Sequence, residues 1–208
     1  MNDSETELLL SQAVTGNSHA VERLMLLHHG RLKRTIAAYL DPRLSGRIDP
    51  SDVLQDAMTQ AAEKLPHYLV EQPIDFYPWI RQLVRDQLVD VHRRHIQAQR
   101  RSIQREAYVP SINETSAAHL VNYLVGSATS PSVIVVRKER RDAVRQALNQ
   151  LAPANKEILL MRFVEQLRVQ EIAQILAIPE ATAKSRLRRS LEKMYRLVNL
   201  TENHCNDN

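Results

Sequence analysis

The sequence predicts an all-α fold, in which two small helical domains are joined by a linker and the C-terminal one contains a helix-turn-helix. Only four of the 208 residues are glycine and 4% are aromatic, whereas sandwiches and barrels need tight turns and bulky strand residues. Leu, Ala, Gln, Arg and Glu dominate instead, and these residues favour helices. A hydrophobic content of 43% is sufficient for an ordinary core.

Apolar residues at helical spacing predict the N-terminal helices. A first helix starts near Ser4 and ends at Gly16, and a second runs from Ser18 to Leu40. Asp49 is predicted to cap a third helix, and Pro66 is predicted to end it, because proline inside a helix removes a hydrogen bond.

The segment from Pro66 to Pro78 is predicted to be a loop that carries much of the aromatic content of the chain. Its aromatic residues are Tyr68, Phe76 and Tyr77. Pro78 opens a fourth helix with an apolar stripe, and the continuation of this helix through Arg105 is markedly basic.

Composition changes at residue 107, where Ser, Thr, Asn and Ala become frequent. We therefore predict a linker over 107–132, with a short helix around His119 to Val125. Helical periodicity resumes over 133–200, with helices from Ser132, Pro153, Val169 and Pro179. The polar tail, 201–208, is predicted to be disordered.

The sharpest motif is the predicted helix-turn-helix. Ile172, Ile175 and Leu176 form one apolar face, Ile178 lies in the turn, and a strongly cationic helix follows. Such a helix fits the major groove of DNA, where Arg and Lys neutralise phosphates. A solvated basic helix on a bundle would carry similar charges, but the preceding helix and the short turn favour DNA binding. The predicted contacts are Glu180, Thr182, Lys184, Ser185, Arg186, Arg188 and Arg189.

Cations on the fourth helix form a second candidate DNA-binding surface, because they are expected to project from a helix whose opposite face is apolar. The predicted contacts are Arg81, Arg85, Arg93 and Arg94. Phe76 and Trp79 fit a core position as well as base stacking, and for Tyr68 and Tyr77 both roles stay open.

The start of the third helix is acidic, with Asp49, Asp52 and Asp56 close together. Carboxylates at a helix start serve as caps and interact favourably with the helix dipole. They also suit a docking face for a basic partner.

No motif indicates catalysis, since the chain lacks a Gly-rich phosphate loop, a metal-binding His pair on a helix and a Cys–His couple. His92 and His95 have a spacing that could bind a metal, but the arginines around them favour DNA. Cys205 is the single cysteine, and no apolar run reaches membrane-spanning length. The acidic N-terminal residues are not expected to form a signal peptide. We therefore expect a cytoplasmic binding protein without cofactor, metal or enzymatic activity.

In order and spacing, five motifs resemble those of bacterial sigma factors of the extracytoplasmic-function (ECF) group. The resemblance covers the chain from about Leu8 to Leu197. The motifs are Asp-Pro-Ser-Asp-Val-Leu-Gln-Asp at 49–56, Phe-Tyr-Pro-Trp-Ile-Arg at 76–81, Asp-Val-His-Arg-Arg at 90–94, Glu-Ile-Leu-Leu-Met-Arg at 157–162 and Ala-Thr-Ala-Lys-Ser-Arg at 181–186.

The resemblance implies a sigma region 2-like domain over 1–106 and a sigma region 4-like domain over 133–200. Their partners would be core RNA polymerase and promoter DNA, with an anti-sigma protein as a further candidate and no membrane. Core-polymerase binding is implied for Asp49, Asp52, Val53, Gln55 and Asp56. Downstream (−10) promoter contact is implied for Trp79, Arg81, Arg85, Arg93 and Arg94, and upstream (−35) contact for the helix-turn-helix residues named above.

The turn departs from the family pattern, because Ala177 stands where glycine is usual. The sequence therefore predicts a turn that either avoids a positive φ or is strained. Two other functions fit the sequence. One is a stand-alone helix-turn-helix regulator with an N-terminal interaction bundle, and the other is an adaptor whose basic faces bind an acidic protein.

Overall fold

The computed structural model describes residues 3–41, 44, 46–94, 114–125 and 133–206, and within these residues it contains nine helices and no strand. The predicted all-α class is confirmed. The helices are α1 (Asp3–Val14), α2 (Ser18–Tyr39), α3 (Pro50–Glu71), α4 (Phe76–His92), α5 (Glu114–Val125), α6 (Val133–Gln150), α7 (Pro153–Phe163), α8 (Val169–Ile175) and α9 (Glu180–Asn206).

The chain divides into two compact units, Met1–Pro110 (unit 1) and Ser111–Asn208 (unit 2). In unit 1, α2, α3 and α4 pack against one another and α1 packs on α2. Leu24, Leu32, Ile36, Leu54 and Ile80 are buried at the centre. Burial of residues spaced three or four apart gives each helix one apolar face.

Side-chain caps fix the start of two helices in unit 1. Asn17 accepts hydrogen bonds from the backbone N–H groups of His19 and Ala20, directly after Gly16, which has φ +82°. Asp49 Oδ1 accepts from the Ser51 N–H at 2.7 Å, and this bond lowers the pKa of Asp49. Both arrangements satisfy N–H groups that have no partner inside the helix.

The prediction that Pro66 ends the third helix is wrong. Helix α3 continues to Glu71 and stops at Gln72, which has a left-handed φ of +38°. Leu65 and Tyr68 on either side of Pro66 are buried, and their packing offsets the cost of an internal proline, about 3 kcal/mol. The loop is therefore shorter than the predicted 66–78. Only residues 72–75 separate α3 from α4, which begins at Phe76.

Unit 2 has a core to which α5, α6, α7 and α9 all contribute, and α8 packs on α7 and α9. The core includes Leu120, Val144, Leu148, Leu159 and Met194. Helix α5 lies within the segment predicted as a linker and is longer than the short helix expected there. Burial of its apolar residues explains why it packs here.

The predicted disordered tail also differs from the structure, because α9 runs to Asn206. The sequence contains neither glycine nor proline after Pro179, so no strong helix-stopping residue is present. Among the described residues, no helix is long and apolar enough to span a bilayer.

Candidate DNA-binding and polymerase-binding surfaces

The predicted helix-turn-helix is formed by α8 and α9. Ala177 in the turn between them has φ +50°, so of the two predicted alternatives the strained turn is the one observed. The Ala177 N–H donates to the Gln174 carbonyl at 3.1 Å, and the Ile178 N–H donates to the Ala173 carbonyl at 3.0 Å. These bonds hold an alanine in a conformation that costs about 1–2 kcal/mol for residues with a Cβ.

Helix α8 is anchored at its start by a carboxylate. The Arg168 N–H donates to Glu171 Oε2 at 2.7 Å, and the Glu171 side chain is only 2% exposed. Arg162 Nη1 donates to the Leu167 carbonyl at 2.9 Å, just before the helix. The entry into the helix-turn-helix is thus held by two charge-assisted hydrogen bonds.

One face of α9 packs into unit 2 and the other is exposed. Ala183, Ser190, Met194 and Val198 are buried, and the Ser190 hydroxyl donates to the Arg186 carbonyl at 2.8 Å. The exposed face carries most of the predicted DNA contacts, namely Glu180, Thr182, Lys184, Arg188 and Arg189, while Ser185 and Arg186 are half-buried.

Several polar side chains on this exposed face contact one another. Lys184 Nζ lies 2.7 Å from Glu180 Oε1, and Arg189 Nη2 donates to the Ser185 hydroxyl at 3.1 Å. A looser pair joins Arg188 Nε to Glu192 Oε1 at 3.8 Å. Each of these three cations is therefore held by a side chain four residues away on the same helix.

The start of α3 displays an exposed acidic face formed by Asp49, Asp52, Gln55 and Asp56. Val53, which the sequence analysis grouped with them, is 1% exposed. It lies on the apolar side of α3 and packs in the core of unit 1, so its assignment as a surface contact is wrong.

Asp56 is tied to α4 by a hydrogen bond that the sequence did not predict. Gln87 Nε2 donates to Asp56 Oδ2 at 2.8 Å, and Gln60 Nε2 donates to Gln87 Oε1 at 3.2 Å. Gln87 is 2% exposed. This network links the α3 acidic face to the helix beside it.

The predicted DNA contacts on α4 have different environments. Arg81 is fully buried, and its Nη2 donates to the Tyr39 hydroxyl at 3.4 Å, so the prediction that it projects outward is wrong. Its position, four residues after Tyr77 and three before Val84, places it on the buried stripe of α4. Arg85 is half-buried with its guanidinium 5.3 Å from the Tyr39 ring centroid. Arg93 and Arg94 are exposed.

The aromatic residues near the start of α4 form a cluster within the core. Trp79 is half-buried and stacks on the Tyr68 ring, with centroids 4.4 Å apart. The Tyr68 hydroxyl donates to the Ile74 carbonyl at 3.0 Å, and burial raises the pKa of Tyr68 to about 12. Phe76 and Tyr77 are buried. Tyr68 and Tyr77, whose role the sequence left open, are core residues, and of these four aromatic residues Trp79 alone is partly exposed.

His92 and Asp41 contact each other in a buried position at the end of α4. His92 Nε2 lies 3.5 Å from Asp41 Oδ2, and each side chain is 10% exposed. His92 is therefore not on a DNA-facing surface, and His95 lies outside the described residues. Within the described part of the chain, no group of three or more His, Cys, Asp or Glu residues has the arrangement of a metal site.

Comparison with known proteins finds a family similarity within unit 2. Residues 141–194 match the family described as Sigma-70, region 4, and this stretch contains most of α6, all of α7 and α8, and the first half of α9. The helix-turn-helix therefore lies within the segment that is similar to sigma-70 region 4.

Relatives extend the similarity to the rest of the chain. The probable RNA polymerase sigma factor RfaY of Xanthomonas campestris pv. campestris is 27% identical over 139 residues, 67% of this chain, but the match spans only 31% of that protein's own length. The ECF RNA polymerase sigma-E factor of Escherichia coli K12 is 23% identical over 89% of this chain and 90% of its own length. These findings support the assignment of the chain as an ECF sigma factor.

The fold agrees with a solved structure described as "Structure of CnrH in complex with the cytosolic domain of CnrY". The match has a TM-score of 0.53 and 17% sequence identity, and it covers 93% of this chain and 96% of that one. At this identity the similarity concerns the fold alone.

Proposed function

We propose that the protein is a sigma factor that binds core RNA polymerase and directs it to specific promoters for transcription initiation. The observation that carries the proposal is α9, a cationic helix displayed by a helix-turn-helix, within the segment that matches sigma-70 region 4. The similarity to an ECF sigma factor over 89% of the chain supports including unit 1 in the same function.

In this proposal, α9 reads the upstream (−35) promoter element in the major groove. Thr182, Lys184 and Arg188 are exposed on the side of α9 away from the core, where a bound duplex can reach them. Side chains near the start of the helix would contact base edges, and the arginines further along would contact phosphates. Arg189, held against Ser185, would be one of the phosphate contacts.

Unit 1 would engage the downstream (−10) element through the end of α4. Arg93 and Arg94 are exposed there and suit contact with phosphates of separated strands. Arg85 and Trp79 are each half-buried and would contribute through the parts of their side chains that stay accessible. Arg81 is removed from this set because it is buried.

The α3 acidic face would dock on core RNA polymerase. Asp49, Asp52 and Asp56 present carboxylates at one end of the helix, a surface complementary to a basic patch on a partner. Gln55 lies among them and adds an amide that can donate and accept.

The proposed partners also bear on the catalytic activity, the cellular location and the regulation of the protein. We propose a binding protein without catalytic activity, in the cytoplasm, where polymerase and chromosomal DNA are found. An anti-sigma protein is a further candidate partner, supported by the similar fold of CnrH, which was solved with the cytosolic domain of CnrY.

A run-off transcription assay tests the proposal. Purified protein is added to core polymerase and a pool of fragments of the source genome. We expect transcripts that start at defined sites and depend on the protein. If no template gives such a transcript although circular dichroism shows a folded protein, the proposal is wrong.

The same preparation distinguishes the other two functions. A stand-alone regulator would bind duplex DNA without polymerase, usually as a dimer on paired half-sites. An adaptor would bind an acidic protein and show no preference among DNA sequences. A sigma factor should select DNA sequences strongly only in the presence of core polymerase.

A further inference from the structure

The first turn of α9 carries a pair of opposite charges at the position where a recognition helix meets base edges. Glu180 Oε1 and Lys184 Nζ are 2.7 Å apart, and the side chains are 48% and 65% exposed. Neither is needed to fill the core, because the residue of this turn that packs inward is Ala183. The pair thus presents an acceptor beside a donor toward solvent.

The geometry of this pair matches that of a Watson–Crick base pair seen from the major groove. Within a base pair, an amino group on one base hydrogen-bonds an oxygen on the other, so the two atoms lie about 2.9 Å apart. The Glu180 carboxylate oxygen and the Lys184 ammonium nitrogen are 2.7 Å apart, nearly the same distance. They place an acceptor opposite the amino group of the base pair and a donor opposite its oxygen. Glu180 can accept from the amino group while Lys184 donates to the oxygen.

Neighbouring atoms decide which base pair fits. In a C·G pair, guanine offers O6 and N7, both acceptors, to a lysine, and the cytosine amino group has no acceptor beside it. In an A·T pair, the adenine amino group lies next to N7, an acceptor that repels a carboxylate, and thymine offers O4 beside a methyl group. Both differences favour C·G.

We infer that Glu180 and Lys184 act together as the reader of one C·G base pair in the upstream promoter element, with cytosine on the Glu180 side. This inference rests on the proposed function and adds the base pair that the first turn of α9 selects. Glu180 would contribute little affinity, because its charge repels phosphates, and would act by rejecting other bases. Its ion pair with Lys184 keeps the carboxylate directed along the helix surface.

The chain offers a matched control on the same helix. Glu192 forms an ion pair with Arg188 at 3.8 Å, also four residues apart, but it lies three turns further from the start of α9. Glu180→Gln and Glu192→Gln remove the same charge from the same helix. A purely electrostatic or helix-stabilising role would affect all DNA sequences alike in either variant.

The test uses the promoter found in the run-off assay, with each position of its upstream element randomised in turn. Each upstream-element sequence is linked to its own barcode in the transcribed region, and the barcodes in the transcripts are sequenced for the wild type and for both variants. In the wild type we expect one position to prefer C·G. In Glu180→Gln the preference at that position should fall on the order of tenfold, the discrimination that a good side-chain pair provides, and move toward adenine, which glutamine binds through N6 and N7.

In Glu192→Gln, the preference at every position should match that of the wild type. Equal preferences in Glu180→Gln and wild type, or the same shift in both variants, would overturn the inference while leaving the proposed function intact. A pool from which wild type yields no transcript would overturn both.

Discussion

Among the described residues, Arg81 is the largest side chain that is fully buried, and its environment explains what it does. A buried guanidinium is costly unless its N–H groups are hydrogen-bonded, and Tyr39 provides both a hydroxyl at 3.4 Å and a ring. Arg81 therefore serves to join α4 to the end of α2, and its burial removes it from the proposed DNA contacts.

This assignment predicts that truncation of two arginines, Arg81 and Arg94, changes the stability of the protein to very different extents. Arg81→Ala should lower the free energy of unfolding on the order of 3 kcal/mol, as truncation of a large buried side chain does. Arg94→Ala should change it by less than about 0.5 kcal/mol, since Arg94 is exposed, while weakening binding to promoter DNA. Urea unfolding monitored by circular dichroism measures the first effect; a stability of Arg81→Ala equal to that of wild type would contradict the assignment.

Ala177 is the second residue whose conformation makes a prediction. Glycine adopts φ +50° without steric penalty, but it also gains entropy in the unfolded chain. The first effect is the larger, so Ala177→Gly should raise the free energy of unfolding of unit 2 by about 0.5–1 kcal/mol. Ala177→Val should lower it, because a β-branched side chain tolerates a positive φ poorly. If thermal unfolding gave the reverse order, the turn would not be strained.

At the scale of elements, α3 combines a structural side with a candidate docking side. Its apolar face holds Val53 and Leu54 in the core, while its acidic face is exposed. A substitution on the acidic face therefore tests docking only when it leaves the packing and the hydrogen bonds of α3 intact.

Asp52→Arg and Asp56→Asn meet this condition. The Asp52 side chain makes no hydrogen bond or ion pair within the described part of the chain, so a reversed charge there should leave the fold intact. Asp56→Asn removes the charge but keeps an oxygen that can accept from Gln87. We expect each variant to reduce co-purification with core polymerase, Asp52→Arg more strongly because it reverses the charge.

Two controls accompany this experiment. Glu63→Arg changes a carboxylate on the exposed side of the same helix, more than one turn beyond the acidic face, and should not affect co-purification. Unfolding curves should be alike for all variants. Retention of polymerase by both Asp52→Arg and Asp56→Asn at the wild-type level would exclude the acidic face as the docking surface.

At the scale of the whole molecule, the division into two units predicts that unit 2 is an independent folding unit. Its core is formed by α5, α6, α7 and α9 and closes around Leu120, Leu148 and Leu159. A fragment of residues 111–208 should therefore be helical and unfold cooperatively on heating. A broad, non-cooperative melt by circular dichroism would contradict this prediction.

Much of this organisation could be predicted from the sequence, because apolar periodicity reports directly on helices with one buried face. The helix-turn-helix and the cap at Asp49 were predicted for this reason. The continuation of α3 through Pro66 was not, since it depends on the burial of Leu65 and Tyr68 by residues distant in sequence. The burial of Arg81 was missed because charge suggested a surface position, although its spacing from Tyr77 and Val84 indicated the buried stripe.

The hydrogen bond from Gln87 to Asp56 has a consequence for the strength of the proposed docking on polymerase. A carboxylate on an exposed helix normally rotates among several orientations, and a partner must restrict that motion when it binds. Here the rotation of Asp56 is already restricted by a buried amide, and its Oδ1 stays available to a partner. Gln87 would therefore increase affinity without touching the polymerase, by reducing the entropy that is lost when the complex forms.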